Sequence, residues 1–380
     1  MKSFRYCLGS VLIFLCLFGS CSMLGSETGN FPAKEEAPPK EKETVPDEET
    51  VPDEETQSED ENPDETKDET KDETQDETQD DPEEIPLPPA FIHFKTLPED
   101  EVAFEFSGPV SFVSLSLDSD LGFEMIEEAG SEIVIKLTGD LVPGLPVEAD
   151  LLVIDEYENF INERVSFNLR NNRVPRLQIN ELYTEYSKPK VEFIELKMLS
   201  SGNLYALRVF AAGNNKAPLI YEFEPVEVLE GDYVVIHLRK PEASCVDEYD
   251  LLNESGGTFS SPTARDFWIS GTNKLLHKTD AVYVLDQDDK ILDAVMLSES
   301  PSASWDKSYF TEAANFLLSQ DAWKSPAGAA SSPADAVDTS GIKTATTKSI
   351  SRNEGADNTH TAADWYITTQ GVTPGLPNKL

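Results

Sequence analysis

The sequence predicts an all-β protein: two antiparallel β-sandwiches in tandem, carried behind a disordered acidic tether. Three observations predict it. From Phe91 onward, apolar residues recur at every second position in short runs separated by Gly, Pro, Asn and Asp. The 296 residues after Glu84 are enough for roughly two domains of ~100–200 residues each. Before them, the 58 residues from Glu27 to Glu84 hold 26 acidic and 5 basic side chains, half of the chain's net charge of −42. Such a polyanion makes a poor nonspecific nucleic-acid binder, because that binding needs Lys and Arg to neutralise phosphates.

The first element, residues 1–20, reads as an export signal. Lys2 and Arg5 precede an apolar run over residues 8–18. At ~1.5 Å per residue this run covers about 16 Å, against a hydrocarbon core of roughly 30 Å. It is too short to span a membrane and has the layout of a secretory signal. The run ends Leu17-Phe18-Gly19-Ser20-Cys21, which resembles the lipobox of bacterial lipoproteins, in the looser form seen in spirochaetes. The resemblance implies acylation of Cys21 and a membrane partner reached through acyl chains, each buried methylene contributing about 0.8 kcal/mol. The alternative is an ordinary signal peptide with an incidental cysteine. Cys7 and Cys16 fall in the removed segment, so Cys245 is left without a disulfide partner.

Residues 21–85 form the tether. Thr44-Val-Pro-Asp-Glu-Glu49 repeats at once as residues 50–55, and a four-residue Asp-Glu-Thr-Lys/Gln unit occurs four times between Asp64 and Gln79. Too little apolar surface is present to offset the ~1–2 kcal/mol per residue that ordering a backbone costs. Like-charge repulsion extends such a chain, whose limits are about 40–45 Å as an uncharged coil and about 200 Å when taut. It acts as a solvated spacer, or as a weak Ca²⁺ binder through its Asp-Glu pairs; tight calcium sites need a shaped loop that the repeats lack.

Residues 86–172 are the first folded segment. Val102, Phe104 and Phe106 share one strand face; Val113, Leu115 and Leu117 alternate with Ser114, Ser116 and Asp118. Strands over 133–137, 149–155 and 165–169 follow, with turn formers at Ser107-Gly-Pro109 and Pro143-Gly144 between them. The segment resembles the immunoglobulin-like modules of bacterial exported proteins, an architectural likeness with little to say about function.

Residues 173–380 are the second. Strand-like runs lie at 177–182, 191–196, 229–236, 281–286 and 291–295, the last two joined as a hairpin by Asp286-Gln-Asp-Asp-Lys290. An EF-hand there fails for want of the glycine and the downstream glutamate. Ile179-Asn-Glu181, Phe193-Ile-Glu-Leu196, Gly231-Asp-Tyr233, Asp364-Trp365 and Pro374-Gly-Leu-Pro-Asn378, in this order, resemble the lamin-tail domain, an immunoglobulin-like β-sandwich. The resemblance implies tethering or accessory binding and no catalytic centre, though such bacterial domains accompany nucleases and other hydrolases. Residues 298–341 depart from it as an insertion, with a helix over 306–320 marked by Tyr309, Phe310, Ala313, Ala314, Phe316 and Leu317. It is a binding excursion or an inert one.

No catalytic signature stands out. His93, His237, His277 and His360 lack zinc spacing, and there is no nucleophile elbow, phosphate loop or Cys-x-x-Cys. No cofactor or metal is implied. Cys245 has no histidine suggested beside it and reads as a structural or exposed thiol. Glu181 and Glu195 attract attention as paired carboxylates, but alternation makes them solvent-facing. Among the four tryptophans, Trp365 falls in a core motif, while Trp305 and Trp323 flank the inserted helix and are the binding candidates. The expectation is a lipid-anchored envelope protein with a noncatalytic role in adhesion, scaffolding or docking of an unknown partner. Two alternatives stand: a metal-dependent exported hydrolase or nuclease or its accessory, and a purely structural spacer.

Overall fold

The computed structural model describes residues 87–325, 331–343 and 347–379. The export signal, Cys21 and the acidic repeats lie outside the described residues, as does part of the loop after the inserted helix. The described residues fall in one compact unit. It is built of strands packed as β-sandwiches with a single α-helix among the described residues, the all-β class that the alternation predicts.

The first segment comprises β1 (Phe91–Thr96), β2 (Glu101–Leu117), β3 (Gly122–Glu127), β4 (Ala129–Thr138), β5 (Pro146–Ile154) and β6 (Phe160–Asn168). The expected turn at Ser107-Gly-Pro109 is instead a bulge inside the 17-residue strand β2, where the pairing with β4 jumps from Glu105 to Val110. A proline at a bulge forfeits no ladder hydrogen bond, so the strand bends without ending. Its first half pairs with β1 and β4, and its second half pairs along β5. The sheet thereby curls until Phe94 of β1 meets Phe167 of β6, ring centroids 5.7 Å apart. Phe104, Ile133, Ile135, Ala149, Leu151 and Val153 fill the interior. A second irregularity between Phe112 and Ser114 flips the phase of the strand. Phe112 therefore turns inward with Leu115 and Leu117, and Val113, expected on their face, is 41% exposed.

The second segment holds β7 (Leu177–Tyr183), β8 (Phe193–Met198), β9 (Gly202–Asn203), β10 (Arg208–Ala211), β11 (Leu219–Glu222), β12 (Glu227–Val228), β13 (Tyr233–His237), β14 (Arg265–Trp268), β15 (Asp280–Leu285) and β16 (Ile291–Ser298). The helix α1 (Ser308–Ser319) follows, then β17 (Val337–Asp338), β18 (Ile350–Arg352) and β19 (Trp365–Ile367). One sheet runs β14-β13-β8-β7-β18-β19 and the other β11-β10-β15-β16-β17; β9 and β12 form a short ribbon. Two pairs, β13 with β14 and β16 with β17, are parallel. Ile194 and Leu196 of β8 and Val234 and Ile236 of β13 enter the core between the sheets, with Val282 and Val284 of β15 in the same cluster. Helix α1 adds Phe310, Ala314 and Leu317 to that cluster and packs on β15 and β16, so the insertion is part of the core.

Where β18 stops pairing with β7, a buried ion pair takes over. Asp293 Oδ2 accepts the Ile179 amide at 2.7 Å and Arg352 Nη2 at 2.5 Å, and Arg352 Nε donates to the Ile179 carbonyl at 2.7 Å. The Arg352 guanidinium also lies over Trp365, 4.5 Å from the ring centroid. The Ile179 amide and carbonyl released by the ladder are thus both paired, while Arg352 Nη1 is left without a hydrogen-bond partner among the described residues.

Residues 170–173 join the two segments and are held on several sides. Asn171, 1% exposed, donates to the Asn203 and Tyr205 carbonyls at 2.7 and 3.0 Å, and its backbone exchanges hydrogen bonds with the Gln287 side chain. Arg170 pairs with Asp288 in the β15–β16 turn. Gly144, at φ +79°, approaches so closely that a Cβ would sit 2.6 Å from Pro225 and 2.9 Å from Tyr205.

Candidate functional site

Glu181 and Glu195 face each other across β7 and β8, as their spacing allows, but they are not solvent-facing. Both are 0% exposed. They lie on the outer face of the six-stranded sheet, and residues 373–378 cross over them. Glu181 accepts the Thr373 amide at 2.9 Å, the Thr373 hydroxyl at 3.2 Å and the Ser349 hydroxyl. Glu195 accepts the Gly375 amide at 2.6 Å and Asn180 Nδ2 at 2.8 Å. Alternation sends Glu195, between Ile194 and Leu196, away from the inter-sheet core, and a bulge between Ile179 and Glu181 brings Glu181 to the same outer face. What it does not carry is the cover, drawn from a segment some 190 positions later.

A third acid, Glu354, completes the arrangement and has no signal in the sequence. It pairs with Lys197 and accepts Tyr233 Oη at 3.0 Å and the Asn378 amide at 2.7 Å. Gly375, at φ +75°, is the only residue type that fits the crossing: a Cβ would overlap Ser261 Oγ and lie 2.9 Å from Ala264. Residues 373–378 are therefore a strap tied down by the buried carboxylates of Glu181 and Glu195 and the partly buried carboxylate of Glu354.

The carboxylates divide their charge. Burial pushes Glu195 well above the usual carboxylate range, and the neighbouring charge of Glu181 adds to this. Burial raises Glu181 too, against the opposing pull of its hydroxyl and amide donors. For Glu354 burial is outweighed by Lys197 and the other donors, which hold it below its ordinary value. Of the two, Glu195, with fewer donors than Glu181, is raised the further. Because its folded-state affinity for protons exceeds that of the unfolded chain, its contribution to stability is full below the ordinary carboxylate range. That contribution is lost as pH rises through the raised value. Glu195→Gln, which fixes the neutral form, is expected to flatten the decline in stability as pH rises above the ordinary carboxylate range, read by urea unfolding at several pH values. An equal decline in native and variant would rule out Glu195 as its source.

His237 sits at the other end of the same face. Its Nε2 is 2.7 Å from Asp266 Oδ1, both groups are fully buried, and its ring stacks on Trp268 at 3.8 Å. Burial lowers its proton affinity against the pull of Asp266. Cys245 packs with Trp268 and Val191, fully buried, and burial pushes its thiol up. A thiol so placed is inert. Among the described residues no group of three His, Cys, Asp or Glu side chains is arranged to hold a metal ion.

Trp323, expected as a binding aromatic, is 0% exposed and belongs to the core under α1, with Leu317 and Phe310. It cannot reach a ligand. Trp305 stays half-buried and lines an open cavity of about 340 Å³ at the start of α1. Its Nε1 donates to the Ser331 carbonyl at 3.1 Å, which fixes the ring, and Phe310 lies 5.7 Å away. Ser300, Ser302, Ser304, Lys307 and Tyr309 share the lining. The signal that sequence reading passed over is the serine at every second position from Ser298 to Ser304. A neighbouring cavity of about 350 Å³ includes Thr279, Tyr309 and Phe310 in its own wall, together with Lys278 and Glu299. The trough thus offers hydroxyls and an indole to solvent, while Glu181 and Glu195 are engaged by the protein's own donors.

Comparison with known proteins follows the same division. A 163-residue stretch is 29% identical to an uncharacterized protein of Treponema pallidum (strain Nichols), covering 41% of this chain and 42% of that protein. The chain therefore spans less than half of that relative's length. Residues 175–367, which run from the start of the second segment to the end of β19, match the family TP_1001_2nd, described as a protein second domain. That match covers just over half of the 380 residues, and the chain belongs to this family.

Proposed function

We propose that the protein is a lipid-anchored, noncatalytic binding protein of a bacterial cell envelope, whose second sandwich is a lamin-tail-like module. The observation that carries the reading is the distribution of polar groups. Glu181, Glu195 and Glu354 are saturated by protein donors beneath the strap, whereas unused hydroxyls and an oriented indole line the open trough around Trp305. A site that keeps its acids for holding the fold and offers hydroxyls to solvent suits recognition better than bond cleavage. The relative in a spirochaete supports a lipobox of the looser kind, with Cys21 as the acylated residue. Firm anchoring then needs no membrane-spanning helix, and none of the described helices is long and apolar enough to be one.

Metabolic labelling with a palmitate analogue in a spirochaete or other bacterial host tests the anchor. The native chain is expected to take up label and sediment with membranes; Cys21→Ala is expected to do neither. Label retained by the alanine variant would remove Cys21 from the proposal.

A further inference from the structure

We propose that the trough beside α1 binds a short, uncharged oligosaccharide; this rests on the noncatalytic binding function and names its ligand class. The two cavities, about 340 and 350 Å³, each reach the size of small-molecule sites. They share Thr279, Tyr309 and Phe310 and so form one elongated depression.

Its chemistry is that of a sugar's surroundings. A sugar hydroxyl donates and accepts at once, so its partners must do both. Ser300 Oγ, Ser304 Oγ and Tyr309 Oη can do so, and none has a partner among the described residues. Ser298 and Ser302 tie the backbone of the same loop through bonds of 3.0 Å to the Ser300 and Ser304 carbonyls. The free hydroxyls therefore project from a loop that is already braced.

The charged groups point away from an anionic ligand. Each basic side chain of the trough stands beside an acid: Lys307 is 3.8 Å from Asp306, Lys278 pairs with Glu299, Lys274 is 3.5 Å from Glu185, and the His277 ring is 3.6 Å from Asp280. Such pairs offer a donor and an acceptor side by side, matching adjacent hydroxyls, without a surplus of positive charge. The 296 residues after Glu84 carry 46 acidic and 23 basic side chains, a field that disfavours polyanions.

The aromatic groups supply the remaining contact. Trp305, its ring fixed by the bond to Ser331, and Tyr309, whose ring lies 4.6 Å from that of Phe310, provide rigid amphipathic surfaces. Against these the C–H faces of a pyranose can pack while its hydroxyls reach the serines. A flat hydrocarbon ligand would leave those serines unpaired, and a nucleotide would bring uncompensated charge.

The test uses the full chain in a detergent without a sugar headgroup, titrated with cellotetraose, chitotetraose and maltotetraose, with hyaluronan tetrasaccharide as the anionic control. Tryptophan emission and calorimetry give the affinity. Trp268, Trp323 and Trp365 are buried, so a ligand-induced emission change reports chiefly on Trp305. At least one neutral tetrasaccharide is expected to bind with a Kd of about 1 mM or tighter, and hyaluronan about tenfold more weakly or worse. Trp305→Ala and Ser304→Arg, the latter an exposed position that fills the trough without touching the core, should each weaken binding about tenfold or more. Failure of all three neutral sugars, equal binding of hyaluronan, or native affinity in both variants overturns the proposal. Mass spectrometry of the recovered sugar separates the two readings. Shortened products would overturn the noncatalytic function while leaving the ligand class standing; absence of both binding and cleavage would overturn the ligand class alone.

Discussion

Replacing Glu181 with alanine is expected to lower the stability of the second sandwich by about 3–5 kcal/mol, seen as a large fall in the urea midpoint. The carboxylate receives the Thr373 amide and hydroxyl and the Ser349 hydroxyl, all buried. Removing it strands these donors without water, each at roughly 1–3 kcal/mol. It also frees Glu195 from a neighbouring charge, which returns part of the loss. Glu181→Gln keeps the shape and one of the two acceptor oxygens and should cost less than alanine. A loss under about 1 kcal/mol for the alanine variant would show that residues 373–378 are held by something other than this carboxylate. Proteolysis adds an independent view: the carboxy-terminal segment should be clipped sooner in the alanine variant, because its tie to the sheet is the contact removed.

Trp323→Ala should cost a similar amount, about 3–5 kcal/mol, for a different reason. The side chain is fully enclosed among the apolar residues beneath α1, so truncation leaves a cavity that the helix and β15–β16 close only in part. The measure is the thermal or urea midpoint, together with loss of a buried-indole contribution to the emission spectrum. A fall smaller than about 1 kcal/mol would mean that α1 is loosely packed and the insertion peripheral. Trp305, in the sequence an equal candidate only 18 positions earlier, should behave oppositely, its truncation acting on the trough more than on the fold.

These two side chains show what the sequence discloses and what it withholds. The helix itself is legible: the spacing of Tyr309, Phe310, Ala313, Ala314, Phe316 and Leu317 gives a single apolar face, and α1 runs Ser308–Ser319. Which flanking tryptophan turns inward depends on where β15 and β16 lie, and local spacing carries nothing about that. The strands of the core are legible for the same reason, as at Ile133 and Ile135 or Val234 and Ile236. Val113 is not, because a bulge changes the phase of alternation without leaving a mark in the residues. Short strands such as β10 and β14 escape as well, since four residues give too few alternations to stand out from a loop.

Glu181 and Glu195 form the sharper case. Glu195 takes its side of the sheet from the period of two, between Ile194 and Leu196, but Glu181 takes the same side from a bulge after Ile179 that reverses the phase of β7. Burial is then a property of the second layer, and that layer is the Pro374-Gly-Leu-Pro-Asn378 run near the end of the chain. The closing motif and the opening strands are two halves of one feature: acids placed where the strap will lie, and a glycine where only a bare backbone can pass. The trough is less legible still, since its walls come from the β15–β16 region, the serine loop and the first turn of α1.

The junction at residues 170–173 has a mechanical meaning. Asn171 is enclosed and bonded to both Asn203 and Tyr205, Gln287 clasps its backbone, and Gly144 leaves no gap against Pro225. A joint so filled transmits torque instead of absorbing it. Within Asp80–Leu380 the bearing of the trough is consequently set by the first sandwich, as the head of a key is set by its shank.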